Sequence, residues 1–144
     1  MKTIATIGYE SETQGAVIQR LKAAEVKVLI DVRAVAASRR AGFSKSLLAS
    51  SLAEAGIEYV HLRDLGTPKA GRDAARAGRV DEMRRIFEEH LEEPAAQIQL
   101  ARAAEIAGDR KAALLCYEAD ARGCHRQIVA QRLSEALGLK VEDL

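Results

Sequence analysis

Apolar residues fall along this chain in two patterns, short near-continuous runs and recurrences every three or four positions. Residues 3–8 carry Ile4 and Ile7 in a β-branched and small-residue run that stops at glycine, which predicts a strand. Ser11 follows as a hydroxyl cap, with Gln14 at capping-box spacing, ahead of a helix bearing Val17, Ile18 and Leu21. Residues 26–32 (V-K-V-L-I-D-V) are apolar nearly throughout, as suits a strand covered on both faces, with Asp31 set near the end of the run. After a basic loop, Phe43 and Leu48 occupy the two ends of a hydrophobic staple around Ser44. They open a helix with Leu47 and Leu52 that Gly56 ends.

Residues 57–62 predict a third strand. The stretch opening with Leu65-Gly66-Thr67-Pro68 and punctuated by Gly71 and Gly78 reads as a long loop. Val80, Met83, Phe87 and Leu91 then return to helical spacing, and Pro94 starts another helix through Ile98 and Ile106 to Gly108. Residues 112–117 predict a fourth strand. A last helix, from about Cys124, aligns Ile128, Val129, Leu133, Ala136 and Leu137 until Gly138, and residues 139–141 are expected to add an edge strand. Strands alternating with helices predict a single three-layer α/β domain over residues 1–144, its sheet mainly parallel and covered by helices on both faces.

At 144 residues and 48% hydrophobic composition, the chain can bury one proper core without disulfide or metal staples. Cys116 and Cys124 are therefore read as thiols. No apolar run approaches the ~20 residues of a membrane span, and Glu10, Glu12 and Gln14 interrupt any signal-like N-terminus, so a cytoplasmic protein without a membrane role is expected. A net charge of +1 excludes wholesale electrostatic binding of nucleic acid. The balance conceals an asymmetry, because residues 33–85 carry 11 basic and 6 acidic side chains, a local +5.

In an open parallel sheet the ligand crevice lies beyond the carboxyl ends of the strands. There the chain places Tyr9 and Glu10, then Asp31, Arg33 and Arg39, then His61, and finally Glu118 and the run Gly123-Cys124-His125-Arg126. Arg33, Arg39 and Arg126 are expected to clamp an anion, since the guanidinium fork suits phosphate or carboxylate, with Tyr9, Glu10 and His125 as further substrate contacts. Cys124, at a helix start beside two cations, is the expected nucleophile; Glu118, Asp31 or His61 is expected to handle protons. The C-x5-R spacing from Cys116 to Arg122 encloses two carboxylates and no glycine, which argues against an anion-cradling loop. Zinc ligation by Cys116, Cys124, His125 and His61 lacks paired ligand spacing, so neither a metal nor another cofactor is expected.

Five segments in order carry a resemblance: Thr6-Ile7-Gly8-Tyr9-Glu10; Leu29-Ile30-Asp31-Val32-Arg33 with Ser38-Arg39 and Phe43; Gly56 to Leu62 with Leu65-Gly66; Leu114-Leu115-Cys116-Tyr117-Glu118; and Cys124-His125-Arg126. Together they resemble the uncharacterised bacterial and archaeal family called domain of unknown function 488. The resemblance implies a single α/β domain and a Cys-His-Arg near the C-terminus whose purpose is unassigned. Tyr9-Glu10 departs from the His-Ser common in that family's first segment. Two functions fit the residues: an enzyme acting on a phosphate-bearing small molecule, nucleotide or nucleic-acid end, and a non-catalytic nucleotide- or nucleic-acid-binding module.

Overall fold

The computed structural model describes residues 2–144. Strands β1 (Thr3–Gly8), β2 (Val28–Asp31), β3 (Glu58–His61), β4 (Ala112–Cys116) and β5 (Lys140–Asp143) form one sheet in the order β3-β2-β4-β1-β5. Every pairing is parallel, so the expected mainly parallel sheet is wholly so. The expected edge strand exists, shifted one or two residues along, and pairs Thr3 with Lys140 through Thr6 with Asp143.

Strand parity sorts the core into two layers. Ile4, Val28, Ile30, Ala112, Leu114 and Cys116 point to one face, against α4 (Val80–Leu91), α5 (Pro94–Asp109) and α6 (Arg126–Leu137). Ala5, Ile7, Leu29, Ala113 and Leu115 point to the other, against α1 (Gln14–Ala23) and α2 (Lys45–Glu54). The result is the expected three-layer α/β arrangement. Phe43 and Leu48 are both fully buried at the entrance to α2, as the staple requires.

Three local expectations are corrected. The cap of α1 is Thr13, whose hydroxyl accepts from the Ala16 amide at 3.1 Å; Ser11 stands in the left-handed region at φ 60°. Gln14 is thereby free to reach across to the Gly42 carbonyl at 2.6 Å. The stretch read as one long loop contains α3 (Lys69–Arg76), because Gly71 and Ala74 act there as small buried contacts rather than as breaks. A Cβ on Gly71 would fall 2.1 Å from Thr67 Cγ2, so close packing is what the glycine serves. The last helix begins at Arg126; Cys124 precedes it in extended conformation (φ −129°, ψ 143°), after a 3₁₀ turn over Ala121–Gly123.

Candidate functional site

At the end of β2 the chain builds a buried polar network. Asp31 is 0% exposed and lies on the α1/α2 side, where it accepts from Arg33 Nε at 2.9 Å, Arg33 Nη2 at 2.7 Å and the Tyr59 hydroxyl at 2.5 Å. The Arg33 amide adds a further bond at 3.0 Å. Arg33 is 5% exposed, and its Nη1 donates to the Phe43 carbonyl at 2.8 Å and the Tyr9 hydroxyl at 3.2 Å. Burial opposes the charge on Arg33, but the bonds to Asp31 outweigh it and hold the guanidinium firmly protonated. Tyr59 is pushed well above the ordinary tyrosine range, first by burial and then by its bond to Asp31. Tyr9 stacks on Phe43 with ring centroids 4.4 Å apart.

A second cluster forms across the sheet, at the end of β4. Cys116 Sγ and Cys124 Sγ lie 3.7 and 3.8 Å from His125 Nδ1, and all three atoms fall within 4.8 Å of one another. His125 Nε2 donates to the Val32 carbonyl at 2.7 Å, which turns Nδ1 toward the two sulfurs. The edge-to-face contact of Phe87, 4.9 Å between ring centroids, steadies the imidazole from the helical side. Glu118 Oε2 lies 3.7 Å from the Cys116 sulfur. Burial penalises a thiolate on Cys124, yet a hydrogen bond from Cys116 and the charge on His125 draw its pKa well below the ordinary thiol range. Cys116 moves upward, through that same bond and then burial. Burial works against a charge on His125, but the neighbouring Cys124 and the Val32 carbonyl raise its pKa overall. Glu118 is lifted to about 7, chiefly by burial and next by Cys124.

Both clusters approach a cleft of about 1020 Å³ whose walls are the loop after β2 and helix α3. Its floor includes Cys116, Glu118 and His125; its rim includes Arg39, Arg40, Arg72 and Thr67. Among the described residues, Arg39, Arg40 and Arg72 form no ion pair with a carboxylate. Arg40 reaches the Glu12 carbonyl and Arg72 the Thr67 carbonyl at 2.8 Å, contacts that orient each fork without neutralising it. Thr67 is 3% exposed and its hydroxyl has no partner. The wall after β2 is held by Ser44, whose hydroxyl accepts from the Ser38 amide at 3.0 Å, and by the Lys45 amide on the Ala36 carbonyl at 2.8 Å.

Of the residues singled out in the sequence, Tyr9, Glu10, Arg33, Arg39, Glu118 and His125 line this cleft, while Asp31, His61, Cys124 and Arg126 do not. Glu10 accepts from the Ala119 amide at 3.0 Å and so pins the turn after β4. His61 Nε2 donates to the Arg33 carbonyl at 2.8 Å. Arg126 is 1% exposed, and its guanidinium donates to the Glu118 carbonyl at 2.5 Å and the Ala119 carbonyl at 3.3 Å, so it supports the turn from beneath. Cys124, also 1% exposed, sits behind His125, and it is Cys116 that faces the cleft. Of the other cleft-lining residues, sequence reading passed over Thr67 and Arg72, noted Arg40 only as part of the basic loop, and set Cys116 aside as a member of two weak motifs. The i,i+4 pair Lys69 and Asp73, 3.1 Å apart, was the available sign that a helix presents Arg72.

The model of the family described as "Domain of unknown function DUF488" matches residues 13–133. The chain belongs to the DUF488 family. The matched span of this DUF488 protein begins at the cap of α1 and ends within α6, taking in both polar clusters except Tyr9. No curated protein and no solved structure matches the chain.

Proposed function

We propose that this DUF488 protein is an enzyme acting on a phosphate-bearing small molecule or nucleotide bound in the cleft. The reading is carried by one observation: three guanidiniums without carboxylate partners, on Arg39, Arg40 and Arg72, overlook a floor made by a thiol, an imidazole and a carboxylate. Forked, charge-assisted hydrogen bonds from arginine suit phosphate oxygens. The cleft is large enough for a nucleotide. In this reading the rim arginines and the Thr67 hydroxyl hold the anionic group, and the reacting bond faces Cys116, His125 and Glu118. Glu118, 3.7 Å from the Cys116 thiol, handles the proton. Asp31 and Arg33 fix the wall rather than touch the substrate.

Thermal melts against phosphate, nucleoside mono-, di- and triphosphates and short oligonucleotides test the binding half. A ligand at a hundred times its Kd stabilises by about 2.7 kcal/mol. For a chain of this size that raises Tm by roughly 5–11 °C. Arg39→Ala and Arg72→Ala should each remove most of the shift. A panel in which no phosphate ligand moves the wild type, or in which both variants respond undiminished, would overturn the proposal. Turnover of the stabilising ligand, lost in Glu118→Gln, tests the catalytic half.

The non-catalytic reading draws on the exposed lip of Lys69 and Arg76 beside the cleft, which suits a phosphate backbone. Steeply salt-dependent oligonucleotide binding without turnover of any ligand would favour it.

A further inference from the structure

We infer that Cys116, Cys124 and His125 form a binding site for a divalent transition metal, zinc first, at the floor of the cleft. Tetrahedral zinc at ~2.3 Å from sulfur and ~2.0–2.1 Å from nitrogen sets its ligand atoms about 3.5–3.8 Å apart. The two S···N separations here are 3.7 and 3.8 Å, and the largest spacing within the trio is no more than 4.8 Å. The ligand atoms therefore stand nearly where the ion needs them, and the sulfurs close by at most about 1 Å.

The second observation is independent of those distances. A metal-binding histidine characteristically donates its other ring N–H to a carbonyl or carboxylate, which fixes the tautomer and aims the free nitrogen. His125 Nε2 does this with the Val32 carbonyl at 2.7 Å, and Nδ1 is consequently directed at both thiols. Two thiolates and an imidazole select zinc and its soft or borderline neighbours over magnesium or calcium.

Cys116 and His125 line the cleft, so an ion has a route in and a fourth position open toward it. Three protein ligands with one open position is the pattern of a catalytic rather than a structural zinc. Glu118, whose Oε2 is 3.7 Å from Cys116 Sγ, stands beside that position. The inference deepens the proposed function, since it assigns the thiolates as ligands rather than nucleophiles and places the metal where the held substrate would meet it.

The test uses the full chain, kept reduced and stripped with a chelator, then titrated with Co²⁺ and competed with Zn²⁺. One cobalt per chain should bind, with thiolate charge-transfer absorption and the visible bands of tetrahedral cobalt, and zinc should displace it. Cys116→Ser, Cys124→Ser and His125→Gln should each weaken binding by more than the roughly 10–100-fold cost of losing an outer-shell hydrogen bond. His61→Gln should retain full stoichiometry, since its ring serves the Arg33 carbonyl. The wild-type spectrum decides the matter even if a buried-ligand variant fails to fold: absence of a thiolate charge-transfer band overturns the inference. Undiminished metal binding in Arg39→Ala and Arg72→Ala supports it. A wild type that takes up phosphate ligands but no cobalt or zinc refutes the metal site and leaves the anion cleft standing.

Discussion

Replacing Asp31 with asparagine separates a structural from a chemical role for this carboxylate. In the folded protein Asp31 accepts from the Arg33 amide, from Arg33 Nε and Nη2 and from the Tyr59 hydroxyl, at 2.5–3.0 Å. Asparagine keeps the shape but removes the negative charge and turns an NH₂ group toward guanidinium donors. Arg33, only 5% exposed, is then left as a buried cation without its counter-ion. Breaking such a pair from one side costs roughly 3–5 kcal/mol, far more than the median surface salt bridge. A domain of this size loses roughly 2–4 °C of Tm per kcal/mol, so the variant should melt roughly 6–20 °C below wild type. The double variant Asp31→Asn/Arg33→Met removes the stranded charge as well and should lose less than the sum of the two single changes. Calorimetric or fluorescence melts of the four proteins complete the cycle. Had Asp31 been a proton carrier facing the cleft, the single variant would keep its stability and lose only activity. A melt within about 2 °C of wild type would refute the structural assignment.

Tyr59 carries the pH signature of the same network. Its folded pKa lies above the ordinary value, so above about pH 10 the unfolded chain releases a proton that the folded chain keeps, and stability falls with rising pH there. Tyr59→Phe should flatten that alkaline limb in urea melts run from pH 8 to 11; an unchanged limb would assign it to other groups. Gly8→Ala should be severe, because the new Cβ would lie 1.8 Å from the Glu118 carbonyl oxygen, a backbone atom with nowhere to retreat. Overpacking of about 1–3 kcal/mol or more is expected, together with faster alkylation of Cys116 as the turn after β4 lifts away; a wild-type melt and labelling rate would show that the turn yields freely.

The fold was legible wherever periodicity and punctuation agreed. Residues 3–8 and 112–116 form strands because apolar and small residues run without interruption and end at a turn, and α4 follows the spacing of Val80, Met83, Phe87 and Leu91. Helix α3 was hidden because Gly71 reads as a breaker, whereas its missing Cβ is what lets Thr67 pack against it. The floor of the cleft was half legible. Clustering of reactive side chains at strand ends follows from a parallel sheet, but which of two cysteines faces outward depends on where α6 begins, and that start fell two residues later than the sequence indicated. With Cys124 in extended backbone behind His125, the last residue of β4, itself buried, became the thiol that lines the cleft.

Parity explains why residues that cluster at one rim nevertheless divide into two groups. Asp31 is the register partner of Leu115, not of Cys116, so Asp31 and Cys116 point to opposite faces of the sheet. Their networks therefore cannot merge through side chains, yet they meet through two peptide units. The Val32 carbonyl holds His125, the Arg33 carbonyl holds His61, and the Arg33 amide is fixed on Asp31. The buried ion pair thus sets the direction of the backbone from which the imidazole is aimed at the sulfurs. A charge pair this well desolvated is a poor device for adding stability, since apolar residues of similar volume often serve as well or better. It is a good device for holding the backbone after β2 in one conformation, and the placement of His125 on the far face of the sheet depends on that conformation.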